Sequence, residues 1–85
     1  MTGVYAIRHI ASGRVYVGSS LDVYGRWASH TKALIKGRHH SIHLQRAWTK
    51  YGSDAFEFVV LEWCDAEERG VREQCYIDLY RASDR

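Results

Sequence analysis

The run Gly3-Val4-Tyr5-Ala6-Ile7-Arg8-His9-Ile10, followed by Ala11-Ser12-Gly13-Arg14 and then Val15-Tyr16-Val17-Gly18, decides how this chain folds. Its first part is rich in β-branched and aromatic residues, its second supplies turn chemistry, and its third resumes the strand pattern, so the segment reads as a β-hairpin. Successive side chains on a strand point to opposite faces. Tyr5, Ile7 and His9 therefore share one face and Val4, Ala6, Arg8 and Ile10 the other, while Tyr16 opposes Val15 and Val17. Whether the two phenols share a face depends on the hairpin register, which the sequence leaves open. His9 reads as a strand residue only.

Beyond the hairpin, Ser19-Ser20-Leu21-Asp22 offers several N-cap residues, and Val23, Trp27, Thr31 and Leu34 recur at helical spacing. A first helix is expected from Asp22 to Lys36, stopped by Gly37. Gly25 in its first turns costs roughly 1 kcal/mol against Ala, which points to close approach of the helix to the hairpin or to a backbone phosphate. Ser41 caps a second helix whose Leu44, Ala47, Trp48 and Tyr51 form an apolar stripe, with Gly52 just past its end. Phe56 to Trp63 reads as a third strand, and its Val59-Val60-Leu61 centre breaks alternation as a strand covered on both faces does. Asp65 and Glu68 form a capping-box-like pair that opens a third helix from Ala66 to Tyr80. The fold class is α+β: a small three-stranded antiparallel sheet packed with three helices.

Eighty-five residues make one domain, near the size at which a single core is only marginally stabilising. Apolar residues are 46% of the chain, enough for a packed core and too many for disorder. Cys64 and Cys75 lie eleven positions apart with no Cys-x-x-Cys motif, so they read as reduced thiols of an intracellular protein. No apolar run approaches the ~20 residues that a spanning helix needs, and no membrane partner is expected.

Charge divides the chain. From Met1 to Ser53 eight Lys or Arg stand against the single acid Asp22, a net of +7; from Asp54 to Arg85 four Arg stand against nine acids, a net of −5. A basic lobe beside an acidic one fits a polyanion bound to the first lobe. Between Asp22 and Asp54 there is no acid, and Lys32, Lys36, Arg38, His39, His40, His43, Arg46 and Lys50 cluster there as the expected DNA-backbone surface. His39 and His43 are four apart, but without a third ligand they read as a solvent-facing pair, not a metal site. Arg26 and His30, also four apart, share a helix face and are placed to act on one ligand.

On the third helix, at 100° per residue, Glu73 falls between Ile77 and Tyr80 and not on the polar arc of Gln74 and Asp78. A carboxylate among apolar neighbours needs a partner, which would be an Arg, a Tyr hydroxyl or a metal ion.

The tripeptides Gly3-Val4-Tyr5 and Tyr16-Val17-Gly18 resemble the paired signature of the GIY-YIG nuclease family, with Val for Ile in both halves. The likeness continues through Gly25-Arg26-Trp27, His30, Ser41-Ile42-His43-Leu44-Gln45-Arg46-Ala47-Trp48, Lys50-Tyr51-Gly52, Phe56-Glu57, Leu61-Glu62 and Arg72-Glu73-Gln74. The order and spacing are similar to the nuclease domain of phage and intron-encoded homing endonucleases over nearly the whole chain. Leu44-Gln45-Arg46 and Lys50-Tyr51-Gly52 look more like that group than like repair nucleases with the same signature.

This resemblance implies a divalent-metal-dependent endonuclease acting on double-stranded DNA, with one Mg²⁺ or Mn²⁺ ion held by Glu73. It implies that Tyr5 takes a proton from the attacking water and that Tyr16 and His30 orient water and phosphate, while the planar donor fork of Arg26 suits it to steady the scissile phosphate or the leaving group. A free phenol titrates near ~10, so the Tyr5 role needs positive charge nearby. A monomer is expected, with two copies or two successive events needed to cut both strands. The family also tends to carry an asparagine beyond the third helix; this chain has no Asn, and its ending at Ala82-Ser83-Asp84-Arg85 reads as a cut fragment or as a minimal nuclease of reduced rate.

Overall fold

The hairpin forms as its sequence demands. Strand β1 (Gly3–His9) runs antiparallel to β2 (Val15–Ser20), and the turn between them closes where His9 N–H donates to Arg14 O and Gly13 N–H to His9 O, both at 2.8 Å. Gly13 there adopts φ +75°, a conformation that other residues resist. A computed structural model describes residues 1–83; the reading of the chain ending at Asp84 and Arg85 lies outside the described residues.

Helix α1 (Val23–Ile35) starts on Asp22, whose carboxylate accepts from Gly25 N–H at 3.2 Å. Ser20 supports the cap by bonding to the Asp22 backbone. Helix α2 (Ile42–Tyr51) starts on Ser41, whose hydroxyl accepts from Leu44 N–H, and ends on Gly52 at φ +85°. A 3₁₀ turn over Ser53–Ala55 leads into β3 (Phe56–Trp63), and a second over Ala66–Glu68 leads into α3 (Arg69–Ser83). The expected three antiparallel strands and three helices are all present.

Three expectations need correction. The strand covered on both faces is β1, not β3, because the sheet order is β2-β1-β3: Val4, Tyr5, Ala6 and Ile7 are all 2% exposed or less, whereas β3 is an edge strand of intermediate burial. The third helix does not open on a capping box. Asp65 makes no side-chain cap, and the chain instead tightens into the 3₁₀ turn, with Glu68 N–H donating to the Asp65 carbonyl at 3.0 Å. Finally, the crowding at Gly25 does not come from the hairpin: a Cβ there would run into the Asp22 carboxylate that caps the same helix.

Alternation sorts the sheet into two faces. Tyr5 and Ile7 pack with Val23, Leu34, Leu44 and Trp48 in the core under α1 and α2, joined by Tyr16, Trp27, Phe56, Phe58 and Val60. Trp27 stacks on Phe58 with centroids 4.6 Å apart. The opposite face, carrying Val4, Ala6, Ser19 and Glu62, meets α3. There Arg72 grips Glu62 through two guanidinium nitrogens at 2.8 and 2.9 Å, and the Tyr76 hydroxyl donates to the same carboxylate at 3.1 Å. Both cysteines are free thiols, and among the described residues no helix is long and apolar enough to cross a membrane.

Candidate active site

The register answers the question the sequence left open. Tyr5 lies opposite Gly18 and Ile7 opposite Tyr16, so both phenols project from the same face of the hairpin. The Tyr5 ring lies across Gly18: a Cβ on Gly18 would sit 2.5 Å from the Tyr5 oxygen and 2.6 Å from its Cζ. A Cβ on Gly3 would sit 2.6 Å from the Glu62 carbonyl oxygen, where β1 meets β3 at an irregularity in the register. Each glycine of the two tripeptides thus serves close approach and not an unusual φ.

Helix α1 brings His30 down onto the Tyr5 oxygen, with Nε2 at 2.5 Å. His30 is only 2% exposed, and its other ring nitrogen, Nδ1, lies 2.6 Å from Nε2 of His39. His39 Nδ1 in turn accepts from the Ser41 backbone N–H at 3.0 Å. The Tyr16 hydroxyl pairs with His40 Nε2 at 2.7 Å, and His40 stacks on His39 with centroids 4.4 Å apart.

Electrostatics link these groups to Arg26 and Glu73. Burial raises the Tyr5 pKa above that of an ordinary phenol; Arg26 opposes this by hydrogen bonding and charge, while Tyr16 and Glu73 add to the rise. Burial likewise raises Tyr16, with Arg26 lowering it and Glu73 raising it. His30 falls to about 4, first through burial and then through the positive charge of Arg26, His39 and His40. Both phenols therefore feel one guanidinium from α1 and one carboxylate from α3.

Glu73 pairs with neither an Arg nor a Tyr hydroxyl: its Oε1 accepts from the hydroxyl of Ser19 on β2. In the sequence Ser19 reads only as one of several capping residues. The signal that would have found it is its position, directly after Gly18 on a strand whose next face meets α3. The contact hooks the carboxylate onto the strand that carries Tyr16. Tyr5, Tyr16, Arg26, His30 and Glu73 are thus brought together, from β1, β2, α1 and α3.

The basic surface is mostly where charge placed it. Lys32, Lys36, Arg38, His40, His43, Arg46 and Lys50 are all exposed, along the end of α1, the following loop and α2. His39 departs from the expectation on two counts. At 7% exposure it is buried and not available as a surface cation, and it belongs to the loop before α2, so it makes no solvent-facing helical pair with His43. The loop that buries it is held by Gln45, which accepts from His39 N–H at 3.0 Å and donates to Leu34 O at 3.1 Å.

The GIY-YIG catalytic domain family matches residues 1–85. Intron-associated endonuclease 1 of Enterobacteria phage T4 is 46% identical over 61 residues, 72% of this chain and 24% of that protein. Probable intron-encoded endonuclease 1 of Neurospora crassa is 31% identical over 77 residues, 91% of this chain and 24% of that protein. This chain therefore spans about a quarter of the length of these curated relatives. Among solved structures, the catalytic domain of homing endonuclease I-TevI superposes with a TM-score of 0.84 at 38% identity, covering 92% of this chain and 86% of that one.

Proposed function

The chain belongs to the GIY-YIG catalytic-domain family, and from that premise we propose that it is a metal-dependent endonuclease of homing type that hydrolyses phosphodiester bonds in double-stranded DNA. One observation carries the reading: two phenols on one face of the hairpin are both acted on by a guanidinium from α1 and a carboxylate from α3. That arrangement is far more specific than the core packing that explains most strand tyrosines.

Hydrolysis needs a deprotonated water, neutralisation of the charge that builds on phosphorus, and a stabilised leaving alkoxide. Arg26 is exposed, and its planar fork of donors matches phosphate oxygens. It holds the scissile phosphate. Tyr5 removes the proton of the attacking water as the new phosphorus–oxygen bond forms and the bond to the leaving alkoxide breaks. Tyr16, tied to His40, orients water or phosphate. The exposed cations of α1, the following loop and α2 draw in the DNA backbone.

Among the described residues no group of three or more His, Cys, Asp or Glu could hold a metal ion. What the site does offer is the Glu73 carboxylate, a hard oxygen donor bonded to the Ser19 hydroxyl and bearing by charge on Tyr5 and Tyr16. This fits one Mg²⁺ or Mn²⁺, a kind of ion that keeps several waters and takes one or two carboxylates. When bound, such an ion supplies positive charge that favours the Tyr5 phenolate over the phenol that burial otherwise imposes.

The test is supercoiled plasmid incubated with the protein, with Mg²⁺ and with chelator, beside Arg26→Ala. Nicking that needs the metal and disappears in the variant is the expected result. DNA retardation without nicking would make this a binding module of the same fold.

A further inference from the structure

The row of hydrogen bonds behind Tyr5 ends on a backbone amide, and that end determines the direction of every bond before it. A peptide N–H can only donate. Because Ser41 N–H points at His39 Nδ1, that nitrogen is an acceptor and carries no proton. A neutral imidazole has one donor and one acceptor nitrogen, so the His39 proton sits on Nε2, facing His30 Nδ1 at 2.6 Å. His30 Nδ1 is then the acceptor, and the His30 proton sits on Nε2, facing the Tyr5 oxygen at 2.5 Å. The reverse direction fails. Were Tyr5 to donate to His30, His30 would donate to His39, and His39 would need to accept at both nitrogens, which no neutral or protonated imidazole does.

We propose that His39 is a positioning residue: anchored on the Ser41 amide, it locks His30 into the tautomer that donates to the Tyr5 oxygen, so that this oxygen is held ready to act as a proton acceptor. The inference rests on the endonuclease reading for its functional meaning, but the tautomers themselves follow from hydrogen-bond geometry alone.

Burial of both rings supports it, with His30 2% and His39 7% exposed. Burial also favours their neutral forms at neutral pH, as the tautomers require. Gln45 holds the His39 backbone against the end of α1, so the loop that carries the anchor is fixed in place. On Tyr5, the His30 donor and Arg26 act together. Two donors on one phenol oxygen favour its anionic form over a phenol that gives its proton to a neighbouring histidine.

Long-range nitrogen–proton NMR on the metal-free protein at pH 7.5 reads each histidine tautomer directly. Protons on Nε2 of both His30 and His39 are expected; a proton on His30 Nδ1 would overturn the proposal. In the plasmid assay, His39→Leu removes the donor to His30 and is expected to slow nicking about 5- to 100-fold, the range for leaving one buried acceptor unsatisfied, with DNA binding nearly unchanged. His39→Gln, whose amide offers both a donor and an acceptor, is expected to recover most of that loss. If His39→Leu nicks at the wild-type rate, or His39→Gln fails as badly as Leu while folded by circular dichroism, the positioning role falls. Should the wild type fail to nick at all, the endonuclease reading fails instead, and the NMR result still decides the tautomers.

Discussion

The two faces of the sheet are held by different physics. Under α1 and α2 lie Ile7, Val23, Leu34 and the other core residues, joined by two buried histidines whose burial favours their neutral forms. Under α3 the bonds are polar: Arg72 and Tyr76 on Glu62, and Ser19 on Glu73, all in partly exposed surroundings. One face is a core that buries two histidines beside the phenols, and the other is a polar clasp that holds a single carboxylate against β2. The difference teaches that substitutions on the two faces should fail in different ways.

The largest expected effect is on the clasp side. Glu73→Ala should abolish plasmid cleavage while leaving the thermal melt and DNA retardation close to wild type; a collapsed melt would show that α3 docking depends on that carboxylate, and full cleavage would remove Glu73 from the chemistry. Leu34→Ala, under the other face, should do the opposite. It should cost about 2–5 kcal/mol in a urea melt yet leave cleavage per folded molecule largely intact. Between them stands Gly18→Ala, which forces the Tyr5 ring to move and should cost about 1–3 kcal/mol by overpacking together with most of the cleavage. An active Gly18→Ala enzyme would mean that the position of the ring is not critical.

A pH scan sharpens the same contrast. His30 has its folded pKa pulled down to about 4 from the ordinary 6.5, so the unfolded chain binds its proton more readily. Its contribution to stability should be complete above about pH 6.5 and should drain away as pH falls toward 4. Urea melts of wild type and His30→Asn across that window should differ in slope, and equal slopes would place the titration elsewhere. The smallest effect belongs to the exposed cations. Removing Arg46 or Lys50 should weaken DNA binding without base preference and flatten the log–log salt dependence by about one for each phosphate the variant no longer reaches. An unchanged salt slope for both variants would move the DNA path off α2.

The elements were legible because local signals agreed: turn residues between two β-rich runs, Asp22 and Ser41 where caps belong, and Gly37 and Gly52 at helix ends with positive φ. Motif order alone singles out Tyr5, Tyr16, Arg26, His30 and Glu73 as candidate site residues. What remained hidden was nonlocal. The shared face of the phenols follows from a one-residue choice of register, to which composition is blind. The burial of His39 follows from the loop after α1 folding back against that helix, and nothing in the pattern His39-His40-Ser41 marks one ring as inside and its neighbour as outside. Strand β1 looked no more buried than β3 because both are apolar; only the pairing order puts one in the middle.

The empty space at position 18 also changes what the two signature tripeptides mean. They are two halves of one mould: the second strand leaves a hollow, and the aromatic side chain of the first fills it. Such a pair is expected to lose its constraint jointly, so a chain already lacking the ring, as in Tyr5→Ala, should accept Gly18→Ala at little further cost. A motif usually read letter by letter would then be better treated as a single cross-strand couplet, whose members are free to drift only together.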